Sequence, residues 1–145
     1  IYIGAKESLN EGLENVMFLR TRIDFIDNFF DTDEIDEIWL TFSDPQPKKP
    51  RKRLSSKPFI NRYKKILKKD GKIHVKTDSD LLFEFTEEEI HNEKYNCHTL
   101  TWDLYGEKYF GQLSEEEKKT FEIRTHYEKL FSSKGSVIKY CCFRV

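Results

Sequence analysis

The chain has 145 residues, one domain's worth, of which 37% are apolar, 35% charged and 14% aromatic. That many rings excludes a disordered chain, because they bury enough surface to offset the ordering entropy. No apolar run approaches bilayer-spanning length, and a net charge of −1 excludes a uniformly basic chain, so any affinity for a polyanion must be local.

In chain order, Ile1-Tyr2-Ile3-Gly4 reads as a short strand that begins as if in mid-domain. Ala5 to Glu11 is helix-compatible, with Gly12 as its stop. Val16-Met17-Phe18-Leu19-Arg20 reads as a second, buried strand with Thr21 and Arg22 at its tip. Ile23, Ile26, Phe29 and Phe30 give a short helix an apolar stripe, and an acidic loop from Asp31 to Asp36 leads into a strand over Glu37–Phe42. Ser55 or Ser56 can cap the next helix, with Pro58 in its first turn. Phe59, Ile60, Tyr63, Ile66 and Leu67 form its apolar face, and Asp70-Gly71 ends it. Lys72–Thr77 is a fourth strand, whose alternation predicts one less buried face. Asp78 stands at its tip, and Ser79 or Asp80 caps a helix carrying Leu81, Leu82, Phe85 and Ile90. Tyr95–Leu100 reads as a strand and Trp102–Gln112 as a structured loop. Ser114-x-x-Glu117 is a capping box opening an acidic helix, and Val137–Val145 is a last strand, central or hairpin-paired.

Alternation of strand and helix through roughly the first ninety residues predicts an α/β fold with a mainly parallel sheet, helices on both faces and an antiparallel carboxyl-terminal edge. Cys97, Cys141 and Cys142 form no disulfide framework or C-x-x-C zinc pair, so they read as reduced thiols of a cytosolic protein. No His/Cys/carboxylate spacing predicts a metal site, and His74 reads as structural.

The organising stretch is Leu40-Thr41-Phe42-Ser43-Asp44-Pro45-Gln46-Pro47-Lys48-Lys49-Pro50-Arg51-Lys52-Arg53. A buried strand ends, a lone carboxylate follows, and three prolines hold an arm extended in which five of six residues from Lys48 to Arg53 are cationic. Lys48 to Lys72 carries twelve Lys/Arg against Asp70 alone, a charge of +11 where the remainder of the chain carries −12. An acid at a strand tip beside a stiff cationic arm suits chemistry on an anionic polymer; a solvated helix face is the plainer reading of the same lysines. Asp44 and Asp78 each follow a buried strand, where they either converge on one ligand or cap the following turns. None of the six glycines forms G-x-G-x-x-G or a P-loop, so no nucleotide cradle is visible.

The block Phe42-Ser43-Asp44-Pro45-Gln46-Pro47-Lys48-Lys49, the basic arm, Gly71 before the strand ending in Thr77-Asp78, and then Thr125-His126-Tyr127-Glu128 resemble the bacterial tRNA (guanine-N7)-methyltransferases. The resemblance implies a Rossmann-like, doubly wound single domain over 1–145, S-adenosylmethionine as cofactor, tRNA as partner and a cytoplasmic location. It implies Asp44 as the active-site carboxylate near the cofactor, with Thr21 and Arg22 on the cofactor side. It implies Lys48, Asp78, Thr125 and Glu128 as substrate contacts, and Lys49, Arg51, Lys52 and Arg53 in the RNA-contacting arm. Three departures stand out. Ser43 replaces the usual proline, and Arg22 replaces an acid near the adenine. The Gly-rich first strand is also missing, as if the chain were truncated with residues lost between Gly4 and Ala5. The alternative is a non-catalytic RNA-binding module that kept the arm and lost the cradle.

Overall fold

A computed structural model describes residues 1–133 and 135–145. In chain order come helix α1 (Tyr2–Asn10), a 3-10 helix (Ile23–Asn28), strand β1 (Ile35–Thr41), a 3-10 turn (Pro50–Lys52), helix α2 (Lys57–Ile66) and strand β2 (Leu67–Thr77). Helix α3 (Asp80–Asn92), strand β3 (Asn96–Thr101), helices α4 (Glu107–Phe110), α5 (Glu115–Glu122) and α6 (His126–Ser133), and strand β4 (Lys139–Arg144) complete the chain.

The strands form one sheet in the order β1-β2-β4-β3. β1 runs parallel to β2, and β4 lies antiparallel between β2 and β3, so the carboxyl-terminal edge is antiparallel as expected. Side chains alternate across the pleat and separate two cores. Leu40, Ile73, Val75, Cys141 and Phe143 pack under Phe59, Ile60 and Tyr63 of α2 and Phe83 and Ile90 of α3. On the opposite face Tyr140 and Cys142 pack with Leu104, Ile138 and Phe121 of α5. Helices therefore cover both faces of an α/β sheet.

Two expected strands are absent. Residues 1–4 enter α1, where Ala5 N–H bonds to the Ile1 carbonyl at 2.9 Å. Residues 16–20 form no regular element, and Met17 is 92% exposed. A strand needs a neighbour for its amides and carbonyls, and among the described residues neither stretch has one; a local helix satisfies the first instead. The helix expected to run to Asp70 stops at Ile66, because Leu67 already pairs with Ile35 of β1. The next register pair is Glu37 with Lys72, so residues 68–71 bulge out of the ladder. Ser56 occupies the N-cap position of α2, but its hydroxyl donates to the Arg51 carbonyl. The Lys57 amide is served across the fold by Glu89 at 2.7 Å. The capping box at Ser114 and Glu117 forms as expected.

Gly71 closes the bulge in a space with no room for a side chain. A Cβ there would lie 2.8 Å from Leu67 Cδ2 and 2.9 Å from the Lys68 carbonyl oxygen. Gly71→Ala is therefore expected to destabilise the fold by about 1–3 kcal/mol, read as a lower urea midpoint at unchanged slope. A midpoint equal to wild type would show that the bulge yields without cost.

Candidate active site

The site is built at the carboxyl-terminal tips of β1 and β2. After Leu40, which is buried, the chain leaves β1 and the Phe42 amide donates to the Lys76 carbonyl at 2.8 Å. Phe42 has φ +51 and Gln46 has φ +43, so two non-glycine residues in the left-handed region flank Asp44. An aromatic residue there is strained, and such strain concentrates at functional turns. The Asp44 side chain is exposed and fixed from one side: Gln46 donates its main-chain N–H to Oδ1 and its side-chain amide to Oδ2, each at 2.9 Å.

The cationic arm divides into two kinds of residue. Lys48, Lys49, Arg51 and Lys52 are exposed, whereas Arg53 is 4% exposed. Its Nε donates to the Pro45 carbonyl at 2.8 Å and its guanidinium stacks 4.5 Å from the centre of the Phe85 ring. Arg53, expected in the RNA-contacting arm, ties that arm back against α3 and fixes the loop next to Asp44.

Asp78 follows β2 on the adjacent tip. It lines a hollow of about 430 Å³ with Asp80, Trp102, Ser136, Val137 and Lys139, in which Asp44 has no part. The Lys139 ammonium donates to the Asp78 carbonyl at 2.9 Å and pairs with the Asp80 carboxylate. The two acids thus stand on neighbouring parallel strands, but the hollow opens on the Asp78 side alone. Thr21 and Arg22 are engaged locally, the hydroxyl with the Arg22 carbonyl and the guanidinium with Asp24 at 2.9 Å. No contact joins either to Asp44 among the described residues.

Thr125 and Glu128 are brought together by the start of α6, where the Glu128 amide donates to Thr125 Oγ1 at 3.1 Å. The His126 side chain lies outside the described residues. The Glu128 carboxylate is fully buried. Its Oε1 accepts from the Lys76 ammonium at 2.8 Å and from the Tyr105 hydroxyl, while Oε2 has no partner among the described residues. Burial pushes the Lys76 ammonium below its ordinary range, and the hydrogen bond to Glu128 opposes that shift. Burial and the Glu128 carboxylate push the Tyr105 phenol up.

Lys76 and Tyr105 escaped the sequence reading. Alternation in β2 placed His74 and Lys76 on a less buried face, yet they are 6% and 4% exposed. The carboxyl-terminal helices cover that face, and their contacts are 29 or more residues distant in sequence from Lys76. His74 is structural, as expected: it stacks on Trp39 with ring centres 4.0 Å apart, and its Nδ1 lies 2.8 Å from the Tyr140 hydroxyl. Burial pulls its imidazole below the ordinary histidine range. The three cysteines are free, and no group of three or more metal-ligating side chains forms among the described residues.

A family model described as "Putative methyltransferase" matches residues 3–141. A tRNA (guanine-N(7)-)-methyltransferase of Bacteroides thetaiotaomicron is 44% identical over 145 residues, which is 100% of this chain and 55% of that protein. One from Porphyromonas gingivalis is 44% identical over 143 residues (99% and 56%), and one from Christiangramia forsetii 39% over 144 (98% and 62%). The chain thus spans little more than half the length of the curated relatives it matches. Among solved structures, geranyl diphosphate C-methyltransferase from Streptomyces coelicolor A3(2), in complex with Mg2+, geranyl diphosphate and S-adenosyl-L-homocysteine, superposes with a TM-score of 0.51 at 15% identity. The match covers 98% of this chain and 59% of that one. That likeness concerns the fold. With 139 of its residues, 3–141, matched by the family model, the chain belongs to the putative methyltransferase family.

Proposed function

We propose that the protein takes part in methyl transfer from S-adenosylmethionine to N7 of a guanine in the variable loop of tRNA, in the cytoplasm. The observation that carries this reading is the turn at Asp44: an exposed carboxylate at a strand tip, held by Gln46 between two strained residues, beside four exposed cations. The named relatives support the same reaction. Among the described residues no helix is long and apolar enough to cross a membrane.

The donor set at the tip fits a sulfonium. Among the described residues the hydrogen-bonding partners of the Asp44 carboxylate come from Gln46, which leaves its other side to a cation. When bound, that cofactor supplies a methyl carbon already activated by positive charge. Guanine N7 carries an in-plane lone pair and no proton, so the protein needs no general base. Its task is alignment and a field suited to the charge that moves onto the purine. Asp78 and the Thr125–Glu128 turn are the acceptors in this reading. Carboxylates there distinguish guanine, which offers N1–H and N2–H, from adenine, which offers no N1–H. Lys48, Lys49, Arg51 and Lys52 supply affinity through phosphates, with little sequence information.

Asp44→Ala is expected to lower methyl transfer by about 10²–10³-fold with tRNA affinity unchanged in a filter-binding assay. Undiminished transfer would remove Asp44 from the chemistry. The arm separates by salt dependence. Replacing Lys48, Lys49, Arg51 and Lys52 by Ala is expected to flatten the slope of log affinity against log salt by about 0.7–0.9 per lost phosphate contact, at unchanged melting temperature. Arg53→Ala is expected to do the reverse, costing about 1–3 kcal/mol of stability through its buried bond and ring contact. A flattened slope from Arg53→Ala alone, in a protein that melts normally, would return Arg53 to the RNA surface.

A further inference from the structure

The Lys76–Glu128 pair is unevenly satisfied, and that unevenness has a consequence for substrate recognition. The Lys76 ammonium and the Tyr105 hydroxyl converge on Glu128 Oε1, the hydroxyl's one proton being shared with the Phe121 carbonyl at 2.9 Å. Oε2 of the same fully buried carboxylate has no donor among the described residues. A brace for the fold has no reason to leave that oxygen bare, because an unsatisfied buried acceptor and a desolvated ion pair both oppose folding. The ammonium lies among rings, 5.5 Å from the Tyr105 ring centre and 6.0 Å from that of Phe121, with the Phe121 carbonyl at 3.5 Å and the Arg124 guanidinium over the Tyr105 ring as polar neighbours. A buried, unpaired oxygen whose twin is held by Lys76 and Tyr105 is instead suited to accept hydrogen bonds from a ligand.

Lys76 is placed to coordinate that oxygen with the strand tips. Its main-chain carbonyl takes the Phe42 amide that begins the Asp44 turn, Asp78 lies two residues onward, and its side chain reaches Glu128. The residues leading into α6, from Glu122 to Thr125, are exposed, so Glu128 sits one helical turn inside the surface.

We infer that Lys76 is a positioning residue, which with Tyr105 holds Glu128 so that Oε2 accepts from the hydrogen-bearing edge of a guanine base. This deepens the proposed function and rests on it for the identity of the base. Lys76 touches neither base nor cofactor in this account; it acts through Glu128.

The test uses the protein with GMP and AMP as probes in calorimetric or NMR titrations, alongside kcat and KM for methyl transfer to tRNA. Wild type is expected to bind GMP in preference to AMP. Glu128→Gln is expected to abolish the preference, and Lys76→Met to weaken GMP binding by about tenfold or more while leaving AMP unchanged, as loss of a charge-assisted acceptor does. Lys76→Arg, which keeps the cation, is expected to recover most of the preference. In the transfer assay Lys76→Met is expected to raise KM, with the salt dependence of tRNA binding intact. If Lys76→Met fails to fold, Lys76→Arg and Glu128→Gln carry the test through the GMP-to-AMP ratio. A wild type indifferent to the base, or a folded Lys76→Met that keeps both GMP preference and KM, overturns the inference while leaving the methyl-transfer reading standing. A Lys76-dependent GMP preference in a protein that transfers no methyl group supports the inference and refutes that reading.

Discussion

The Phe42 amide donates to the Lys76 carbonyl, and the rest of the candidate site depends on that bond. It is the last rung of the parallel β1–β2 ladder, and it forces the chain into a left-handed turn as soon as the strand ends. The turn leaves Asp44 outside the sheet with its carboxylate fixed by Gln46. On the other strand the same residue sends its side chain into the carboxyl-terminal core and its successors to the tip at Asp78. β2, buried along Ile73–Thr77 and paired on both sides, is the stiff member, and β1, an edge strand buried only at Leu40, is held to it by the parallel ladder.

The surrounding structure serves that rigidity. Arg53 gives up its exposure to anchor the proline-rich loop to α3, while its neighbours remain in solvent. One arm thus contains both a fixed root and a free cationic lip. Ser55 and Thr86 share a buried hydrogen bond at 2.7 Å that joins the end of the arm to the same helix. On the far face of the sheet, Trp39, His74 and Tyr140 stack and hydrogen-bond into a layer that Phe121 meets edge-on, fixing α5 ahead of the turn that presents Glu128.

Much of this was legible from local pattern. The Ser79 cap and the Ser114–Glu117 box rest on contacts within a few residues, and the strand before Asp44 and the apolar face of α2 show in the local spacing of their apolar residues. β4, read as central or hairpin-paired, lies between β2 and β3. What was illegible is non-local. Residues 1–4 and 16–20 have the composition of strands, but pairing needs a partner, and composition does not reveal one. The pairs Lys76 with Glu128 and Arg53 with Phe85 span 52 and 32 positions, and no periodicity announces either. A lysine alternating with apolar residues reads as solvent-facing until the helices that bury it are seen.

The measurement that bears most directly on the central claim is the chemical position of the transferred methyl group. The protein is incubated with tRNA and S-adenosylmethionine labelled in its methyl group, and the tRNA is digested to nucleosides. Label recovered as 7-methylguanosine is the expected result. Label on any other atom, or none where the protein is folded and binds tRNA, would contradict the account.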